Sequence, residues 1–484
     1  MGSGVSEPDV VIVGSGPNGL TAGVALARAG ASVLLLEAKA TLGGGLRTAA
    51  LTLPGFAHDV CSAVHPMGIL SPYLRQLPLE EHGLRWIRPT ASVAHPLDDR
   101  PAVLLRRSLD ATSNALGSDA ESYRRLVAPY LRRPHALLED VLAPLGVPHH
   151  PGLLLRFGLQ GIGSATGLAR RFQGAPARAL LAGCAAHAIL PLEQHLTAAV
   201  ALLFLVTGHV EEWPVAAGGS EAIARALASL LRELGGRLET GVEVRRLADL
   251  PKARAYLFDT SPAQLATIAE AVLPAGYLRR LSRYRYGPAA FKVDWALDGS
   301  IPWKDARCLE ASTVHLGGTL EEVSASEAAV WRGQHSARPF VLLCQQSEFD
   351  GTRAPAGKQT GWAYCHVPAG STADMTGAIE SQVERFAPGF RDRILARHVT
   401  RPADLERYNA NYVGGAITGG VADLGQLFTR PVARLDPYTT PHPRLFICSA
   451  SSPPGGGVHG MCGYHAAQSV LRRLPRLEPT TWTT

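Results

Sequence analysis

The sequence is short of lysine, of paired cysteines and of long apolar runs, and each shortage argues against a class of protein. Only five of the 47 basic residues are lysine, and the net charge of +6 is modest over 484 residues. Without a run of basic residues, nucleic-acid binding is not supported. The seven cysteines are scattered without a C-x-x-C pair, which argues against a disulfide framework, a metal site of the zinc-ribbon type or a redox dithiol.

Membrane-spanning and secretory signals are missing as well. The longest apolar run, residues 198–206, is too short to span a bilayer. The N-terminus lacks both a positively charged region and a cleavage site for a signal peptide. We therefore expect a soluble, cytoplasmic protein of two or three domains that can touch a membrane peripherally but does not cross one.

The strongest positive signal is a glycine motif near the N-terminus. A β-branched run at residues 9–13 leads directly into GSGPNG at residues 14–19, and a helical pattern follows. Gly14 permits a tight turn, Gly16 lets the backbone approach a pyrophosphate, and Gly19 allows close packing of helix and strand. Because a helix N-terminus also attracts phosphate, the pattern predicts a dinucleotide site.

An acidic residue ends the second strand of this unit. Residues 32–36 are largely β-branched or leucine, and Glu37 follows 18 residues beyond Gly19, where its carboxylate can accept hydrogen bonds from ribose hydroxyls. The spacing favours a ligand-binding unit over a purely structural one. It leaves NAD and FAD open as the dinucleotide. The remaining predicted contacts in this unit are Pro17, Asn18 and Ala38.

A second glycine-rich turn, LGGGLR at residues 42–47, lies shortly after the acid. Such a turn ending in arginine resembles the FAD-binding extension of the amine-oxidase and phytoene-desaturase flavoproteins. The resemblance implies FAD as the cofactor, with Gly44 and Arg47 along its pyrophosphate. A planar guanidinium suits phosphate oxygens. A surface loop with a solvated Arg47 is the alternative.

The C-terminal part carries a third glycine-rich stretch. A strand at residues 444–449 leads into PPGGGVHGMCG at residues 453–463, and a helix is predicted at residues 464–474. This resembles the closing motif of the same flavoproteins, in which a helix N-terminus stabilises negative charge on the reduced flavin. By that resemblance the cofactor contacts here are Ser449, Gly457, Val458 and His459.

Candidate catalytic residues are few. His459 is the best polar candidate near the flavin ring, with a packing or hydrogen-bonding role as the alternative. His65 and His187 are weaker candidates because a lone histidine is usually structural. The stretch GIGSATG at residues 161–167 has a spacing seen for NADP, but no strand precedes it, so we interpret it as a loop.

The middle of the chain begins with a mainly helical region at residues 118–206. Ser118 is its predicted first N-cap. Residues 177–206 are rich in alanine and leucine, and they form either an apolar helical lid over an apolar substrate or an ordinary buried helix pair.

A further helix is predicted at residues 221–234, with Ser220 as its N-cap, and the pattern of residues 237–247 predicts two short strands. The order of glycine pair, helix and strand again resembles phytoene desaturases. In those proteins the second strand touches the adenine, which implicates Val244.

Strand periodicity dominates residues 285–368. In the first strand three apolar residues share one face, whereas Lys292 and Asp294 share the other. An aromatic stripe at positions 362, 364 and 366 lines either the pocket or the core. A helix follows at residues 376–386. Glycine-dense residues 409–420 imply close backbone approach, to the flavin ring system or within a flexible loop.

Taken from end to end, the order of motifs resembles the phytoene desaturase and carotenoid isomerase group of FAD-dependent oxidoreductases, within the amine-oxidase-type flavoproteins. More closely, it is similar to the bacterial branch related to pyridine nucleotide-disulphide oxidoreductase domain-containing protein two. The expected fold class is α/β, with a discontinuous Rossmann-like FAD-binding domain, an α+β substrate domain and a helical lid. The FAD-binding parts are residues 1–100, 213–285 and 431–484, the lid is 101–212, and the substrate sheet is 286–430.

The resemblance implies an FAD-dependent oxidoreductase, a dehydrogenase or desaturase, that removes hydride from an apolar, polyene-like or lipid-like small molecule. A quinone or oxygen would reoxidise the flavin. The alternatives are a redox-neutral isomerase that uses reduced FAD, an amine-oxidase-like oxidase, and a non-catalytic flavoprotein that supports another complex. The sequence does not identify the substrate, the acceptor or the oligomeric state.

Overall fold

The computed structural model describes residues 7–478 and residue 482. In chain order its strands are β1 (Val10–Val13), β2 (Val33–Glu37), β3 (Thr48–Ala49), β4 (His58–Asp59), β5 (Trp86–Ile87), β6 (Ala91–His95), β7 (Val103–Leu105), β8 (Val215–Ala216), β9 (Arg237–Thr240), β10 (Ala255–Phe258), β11 (Ala289–Leu297), β12 (Ala311–Leu316), β13 (Val341–Cys344), β14 (Gln359–Val367), β15 (Ile394–Thr400) and β16 (Leu445–Ile447).

The α-helices lie between these strands and mostly cover their faces. In chain order they are α1 (Pro17–Arg28), α2 (Pro66–Ile69), α3 (Leu109–Asn114), α4 (Ala120–Leu131), α5 (Pro134–Val141), α6 (Pro151–Gly161), α7 (Ala165–Ala169), α8 (Ala175–Ala186), α9 (Thr197–Glu211), α10 (Glu221–Glu233), α11 (Pro262–Ile268), α12 (Ala275–Leu281), α13 (Leu320–Trp331), α14 (Thr376–Phe386), α15 (Pro402–Tyr408) and α16 (Met461–Leu471).

A five-stranded parallel sheet, in the order β16-β10-β1-β2-β9, forms the first domain. The central strand β1 is fully buried and apolar, as a parallel strand covered on both faces must be. Its Val10 pairs with Ala255 on one side and with Val33 on the other. The strands come from three separate stretches of the chain, so the predicted discontinuous Rossmann-like domain is confirmed.

A seven-stranded sheet, in the order β15-β11-β14-β13-β12-β6-β7, forms the second domain. Phe291, Val293 and Trp295 on β11 pack into the hydrophobic core under α14. Lys292 and Asp294 point to the other face, as the alternation predicts. The first domain boundary was predicted wrongly at residue 100, because β6 at residues 91–95 already pairs with β12 in this sheet.

Three local predictions are also wrong. The strand-rich region contains helix α13, which begins at a capping box of Thr319 and Glu322. Only one of the two strands expected at residues 237–247 forms, namely β9. Ser118 is not an N-cap, because α4 begins after a 3₁₀ turn whose Asp119 carboxylate instead accepts hydrogen bonds from the amides of Gln173 and Gly174 at 2.9 and 2.7 Å.

The alanine- and leucine-rich helices α8 and α9 form both core and cavity wall. Most of α8 is completely buried, whereas Val200, Leu203 and Phe204 of α9 border an internal cavity. Ser220 does stand at the N-cap of α10, but its hydroxyl donates to the Ser62 carbonyl at 2.6 Å instead of capping the helix. None of the helices in the described part of the chain has the length and apolarity needed to cross a bilayer.

Candidate active site

One continuous cavity of about 1680 Å³ runs between the two domains. Its walls include the loops at the carboxyl ends of β1, β2 and β16, one face of the seven-stranded sheet, and helices α6 and α9. Single small-molecule sites usually measure about 300–1,000 Å³. The cavity therefore has room for a dinucleotide and a second molecule together.

The first glycine turn is built for contacts that leave no space for side chains. Gly14 has φ +102°, a left-handed conformation that favours glycine, and a Cβ on Gly19 would lie 2.2 Å from the Gly14 carbonyl oxygen. A Cβ on Gly16 would lie 2.5 Å from Oδ2 of Asp259. The motif alone explains why glycine stands at all three positions, but it did not reveal that Gly16 faces Asp259.

Asp259 contacts this turn, although the sequence placed it only in the turn that follows the strand at residues 256–258. It follows β10, and its Oδ2 accepts a hydrogen bond from the Gly19 amide at 2.9 Å in the first turn of α1. Burial, together with the nearby Glu37 charge, raises the pKa of Asp259 to about 8. The carboxyl is therefore largely neutral at neutral pH, so it adds little negative charge beside a phosphate.

The second glycine turn packs onto the first. The Gly43 amide donates to the Ser15 carbonyl at 3.1 Å, and a Cβ on Gly44 would lie 3.0 Å from the Gly16 Cα. The two turns thus form one layer of closely packed backbone along the cavity. Glycine is needed at these positions because the two turns pack closely on each other, as well as to leave room for a ligand.

Glu37 and Arg47 form a buried ion pair at the end of β2, with 3.2 Å between Oε1 and Nη2. Glu37 also accepts hydrogen bonds from the Ser15 amide at 3.1 Å and from the Lys39 amide at 2.8 Å. Arg47 donates to the Thr41 carbonyl at 2.8 Å. Both side chains border the cavity, so Arg47 is not the solvated surface residue of the alternative interpretation.

Val244 reaches the same end of the cavity by a loop and not by a strand. After β9, the Gly241 amide donates to the Lys39 carbonyl at 3.0 Å, and the Val242 amide donates to the Glu37 carbonyl at 2.9 Å. These bonds fold the chain across the end of β2. Val242 and Val244 consequently line the cavity beside the acid predicted to hold a ribose.

The N-termini of α1 and α16 pack against each other beside the cavity. A Cβ on Gly463 would lie 1.9 Å from the Asn18 carbonyl oxygen, and a Cβ on Gly460 would lie 2.3 Å from Oγ1 of Thr21. Helix α16 starts at Met461, three residues before the predicted start. Two positive helix ends therefore converge on the glycine-rich loops, which favours an anionic ligand.

His459 is part of this loop, and its geometry favours a hydrogen-bonding role. The ring is 1% exposed, and Nδ1 accepts a hydrogen bond from the Met461 amide at 3.0 Å at the start of α16. Burial lowers the pKa of His459 to about 4, so the ring is neutral. This geometry fits the alternative interpretation, in which His459 accepts a hydrogen bond at the start of α16 and positions the loop. Its catalytic role stays a prediction.

The structure brings the predicted cofactor residues to one place. Gly19 is the exception, because it lies behind the turn. The others, which all border the cavity, are Gly14, Gly16, Pro17, Asn18, Glu37, Ala38, Gly44, Arg47, Val244, Ser449, Gly457, Val458 and His459.

The glycine-dense residues 409–420 form a packed loop against the C-terminal motif. A Cβ on Gly456 would lie 2.4 Å from the Thr418 carbonyl oxygen, and a Cβ on Gly420 would lie 2.1 Å from the Tyr284 hydroxyl. Close backbone approach was predicted correctly. The groups that approach these glycines closely belong to the protein itself, although Thr418 and Gly420 also border the cavity.

The cavity wall formed by the seven-stranded sheet contains a lysine that the sequence did not mark as a site residue. Lys292 on β11 is 3% exposed, pairs with Asp294, and lies 5.3 Å above the ring of Trp362. Tyr364, opposite Lys292 in the strand register, borders the cavity together with Trp362. The aromatic stripe therefore faces the pocket at these two positions. The third, His366, instead lies within hydrogen-bonding distance of buried Glu327, with 2.8 Å between Nδ1 and Oε2.

His187, one of the weaker candidates, lies on the cavity wall between α8 and α9. Its Nε2 is 3.0 Å from Nε2 of His315, and its ring packs against Phe204 at 4.4 Å and against Trp213 at 5.4 Å. Burial lowers the pKa of His187 to about 3. It is a neutral hydrogen-bonding group in an aromatic surrounding, and not a charged one.

His65 also borders the cavity, but it is a structural residue. Its Nε2 lies 2.8 Å from the Ser220 hydroxyl at the start of α10. Burial lowers its pKa to about 4. Within the described residues no group of three or more histidine, cysteine, aspartate or glutamate side chains could hold a metal ion. The seven cysteines are free.

Comparisons with known proteins agree with this architecture. Residues 12–77 match the family described as NAD(P)-binding Rossmann-like domain. A structure of putrescine oxidase bound to putrescine has the same fold with a TM-score of 0.61 at 16% identity, covering 97% of this chain and all of that one. Fold and cavity together thus place the chain in the class of two-domain proteins with a discontinuous Rossmann-like domain, which is the fold of that putrescine oxidase.

Within that class, the chain is similar along nearly its whole length to pyridine nucleotide-disulfide oxidoreductase domain-containing protein 2. The protein from Mus musculus is 27% identical, and the match covers 97% of this chain and 94% of the relative. A shorter match at 35% identity, to a limonene dehydrogenase component from Castellaniella defragrans, covers 26% of this chain and 24% of that protein. The resemblance inferred from the sequence is thus confirmed at the level of class and relatives.

Proposed function

We propose that the protein is an FAD-dependent dehydrogenase that removes hydride from an apolar small molecule, with a quinone or oxygen as the final electron acceptor. The observation that carries the proposal is the single cavity. One end is formed by dinucleotide-type glycine loops, and the other is formed by aromatic and aliphatic side chains. A cofactor and an apolar substrate bound there would touch without intervening protein.

The residues at the glycine end fit FAD. Glycines leave open backbone along the loops, and Gly16 at the N-cap of α1 provides no side chain to satisfy the first turn of the helix. Oδ1 of Asn18 is buried without a hydrogen-bond partner beside this turn. The ion pair of Glu37 and Arg47 offers an acceptor for ribose and a donor for phosphate. Bound FAD would supply the hydride-accepting chemistry.

The chain's own contribution at the other end is orientation and exclusion of water. Trp362, Tyr364 and Phe204 offer flat apolar surfaces that suit a hydrocarbon. Lys292 places a buried positive charge on the same wall, next to Asp294, whose pKa is raised to about 6 mainly by burial. Such a charge favours whatever negative charge develops nearby during reduction.

The alternative activities are less well supported by the cavity. A carboxylate beside the aromatic wall would favour a cationic amine substrate, but the carboxylates on the cavity wall belong to the dinucleotide loops or to the end of α5 (Glu37, Glu243, Asp259 and Asp140). On the wall formed by the seven-stranded sheet, the charged group that borders the cavity is Lys292, whose partner Asp294 does not border it. This arrangement favours an ammonium group less than a carboxylate on the wall would. A redox-neutral isomerase and a non-catalytic flavoprotein are distinguished by experiment.

The first test is the visible spectrum of the purified protein. We expect bound FAD that can be photoreduced without air. Return of the oxidised spectrum within seconds of aeration would identify oxygen as a competent acceptor, and a slow return that a quinone accelerates would identify a dehydrogenase. Protein that takes up no added FAD would contradict the proposal.

The second test compares substrate classes without air. Limonene, a long polyene hydrocarbon and putrescine are each mixed with oxidised enzyme, and bleaching of the flavin is followed. We expect bleaching by an apolar compound and none by putrescine. Product formation only with prereduced enzyme and without an acceptor would instead favour the isomerase. Failure of every class, together with stable co-purification of another protein, would favour the non-catalytic alternative.

A further inference from the structure

Large apolar side chains that are exposed to solvent gather at the outer end of the cavity. On one side, Val147 is 94% exposed in the loop after α5, and Leu155 and Leu159 of α6 are 64% and 73% exposed. On the other side, Leu435 is fully exposed and Phe428 is half exposed in the loop before β16. All five also border the cavity, so they form its rim.

Helix α6 presents a regular apolar stripe to solvent. Leu155, Leu159 and Ile162 follow each other at intervals of four and three residues, which places them on one side of the helix and just beyond its end. Phe157 and Gly161 are buried on the opposite side. An ordinary surface helix shows the reverse arrangement, with its polar face outward. The stripe therefore faces something other than bulk water.

Charge at the rim is positive and lacks acidic partners. Residues 141–192 contain no aspartate or glutamate but contain four arginines. Arg156 directly follows Leu155 in α6, and Arg434 directly precedes Leu435 on the other side; both are exposed. Neither has a salt bridge within the described part of the chain. The acids in the second loop are already paired, Asp423 with Arg285 and Asp436 with Arg473.

We propose that this rim docks on an anionic phospholipid bilayer, with the apolar side chains among the acyl chains and Arg156 and Arg434 at the headgroups. Apolar side chains flanked by arginine are the combination that binds such an interface. Association of two copies through the same face would bring two positive rims together without acids between them, which disfavours a dimer. The docking rests on the proposed function in one respect: an apolar substrate then enters the cavity from the bilayer.

The test is co-sedimentation of the FAD-loaded protein with vesicles. We expect binding to vesicles of phosphatidylcholine and phosphatidylglycerol, weaker binding to pure phosphatidylcholine, and a loss of binding at high salt. The double variant Leu155→Glu/Leu159→Glu should bind the mixed vesicles at least about tenfold more weakly. Leu395→Glu is the matched control, since Leu395 is 46% exposed on β15 and does not border the cavity.

The outcomes separate the proposal from its rivals. Wild-type protein that binds neither vesicle, or a Leu395→Glu variant as impaired as the double variant, would overturn it. A dimer that only the rim variants dissociate, without vesicle binding, would assign the face to a second copy. The FAD spectrum and substrate bleaching are measured on the same samples. Vesicle binding by protein without turnover counts against the proposed function alone, and turnover without vesicle binding counts against the docking alone.

Discussion

At the scale of single residues, the glycine-rich end of the cavity depends on a glycine and an acid that contact each other. Gly16 is tightly enclosed, because its missing side chain leaves the space that the Asp259 carboxyl occupies. Asp259 in turn bonds to the Gly19 amide and closes the turn from β10. The glycine motif therefore holds together the start of α1, the second glycine turn and the residue after β10, in addition to leaving room for a ligand.

Replacement of Asp259 by asparagine should change how stability depends on pH. The pKa of Asp259 is raised from 3.8 to about 8, first by burial and then by Glu37. As the pH rises through this interval, the unfolded chain loses the proton before the folded chain does, so wild-type stability falls. Asp259→Asn has no such proton. Its melting temperature relative to wild type should therefore rise from pH 4 to pH 8, and a difference that is independent of pH would contradict the assignment.

Gly16→Ala should abolish most FAD retention, because the new Cβ would lie 2.5 Å from the Asp259 carboxyl and displace the turn. Gly152→Ala is the matched control. Gly152 stands in α6 with no atom within 4 Å of an added Cβ, so alanine should leave FAD content unchanged and gain roughly 0.5–1 kcal/mol of helix stability. The ratio of FAD to protein after gel filtration measures both. Full retention by Gly16→Ala would contradict the cofactor site.

How far the sequence predicted the site depends on whether a residue belongs to a local motif. Gly14, Glu37 and Arg47 could be placed because their spacing along one βαβ unit fixes their relative positions. Lys292 and Asp259 could not, since their roles arise from strands brought together across the chain. Alternation did assign Lys292 to a different face from Phe291 and Trp295, but it could not tell which face would meet the cavity.

At the scale of elements, the start of α16 determines the shape of the C-terminal loop. His459 accepts the Met461 amide through Nδ1, and its carbonyl accepts a hydrogen bond from the Ser71 hydroxyl at 2.7 Å. The helix begins earlier than its apolar pattern suggests because Gly460, with φ +68°, reverses the chain immediately before Met461. Such a reversal depends on tertiary contacts and is poorly visible in sequence periodicity.

His459→Ala should therefore cost about 0.5–2 kcal/mol through loss of the cap, and His459→Asn should recover most of it, because an asparagine side chain also accepts from a helix amide. Thermal unfolding of both variants measures the effect. Flavin bleaching by a competent apolar substrate provides the second readout. We expect His459→Asn to retain it, whereas loss of bleaching in a stable, FAD-bound His459→Asn protein would support a catalytic role for the histidine.

The elements that were predicted wrongly share one cause. Helix α13 has mixed composition, and it is fixed by its capping box and by packing against α8 more than by an apolar stripe. The second strand expected after β9 has suitable residues but no free partner, because its backbone bonds to the end of β2. The local sequence pattern indicated where helices and strands begin, but it could not show which edge of a sheet was free to pair with a further strand.

At the scale of the whole molecule, a buried ion pair joins the two domains next to the cavity. Asp59 on β4 accepts hydrogen bonds from the Ser220 amide at 2.8 Å and the Thr48 hydroxyl at 2.9 Å in the first domain. From the segment after β13 it receives Arg353 and, at 3.2 Å, the Gln346 amide group. Burial opposes the charge on Asp59, but Arg353 and these bonds outweigh it and lower its pKa.

Arg353→Met should consequently destabilise the protein by about 3–5 kcal/mol, since it leaves the Asp59 charge buried without its partner. Asp59→Asn/Arg353→Met should cost less than Arg353→Met alone, because removal of both charges also removes the penalty of the unpaired one. Lys358→Met, which breaks the exposed pair with Asp298, is the control and should have no measurable effect.

Because Arg353 lies at the junction of the domains, the same variant should also weaken FAD retention and reduce the gain in melting temperature on adding FAD, since a ligand that binds more weakly stabilises the folded state less. Chemical denaturation followed by both flavin and tryptophan fluorescence measures these effects. If flavin and tryptophan fluorescence give different unfolding midpoints in Arg353→Met but the same midpoint in wild type, the ion pair couples the two domains. If they coincide in both while stability falls, the pair only strengthens the second domain, and the cavity does not depend on it.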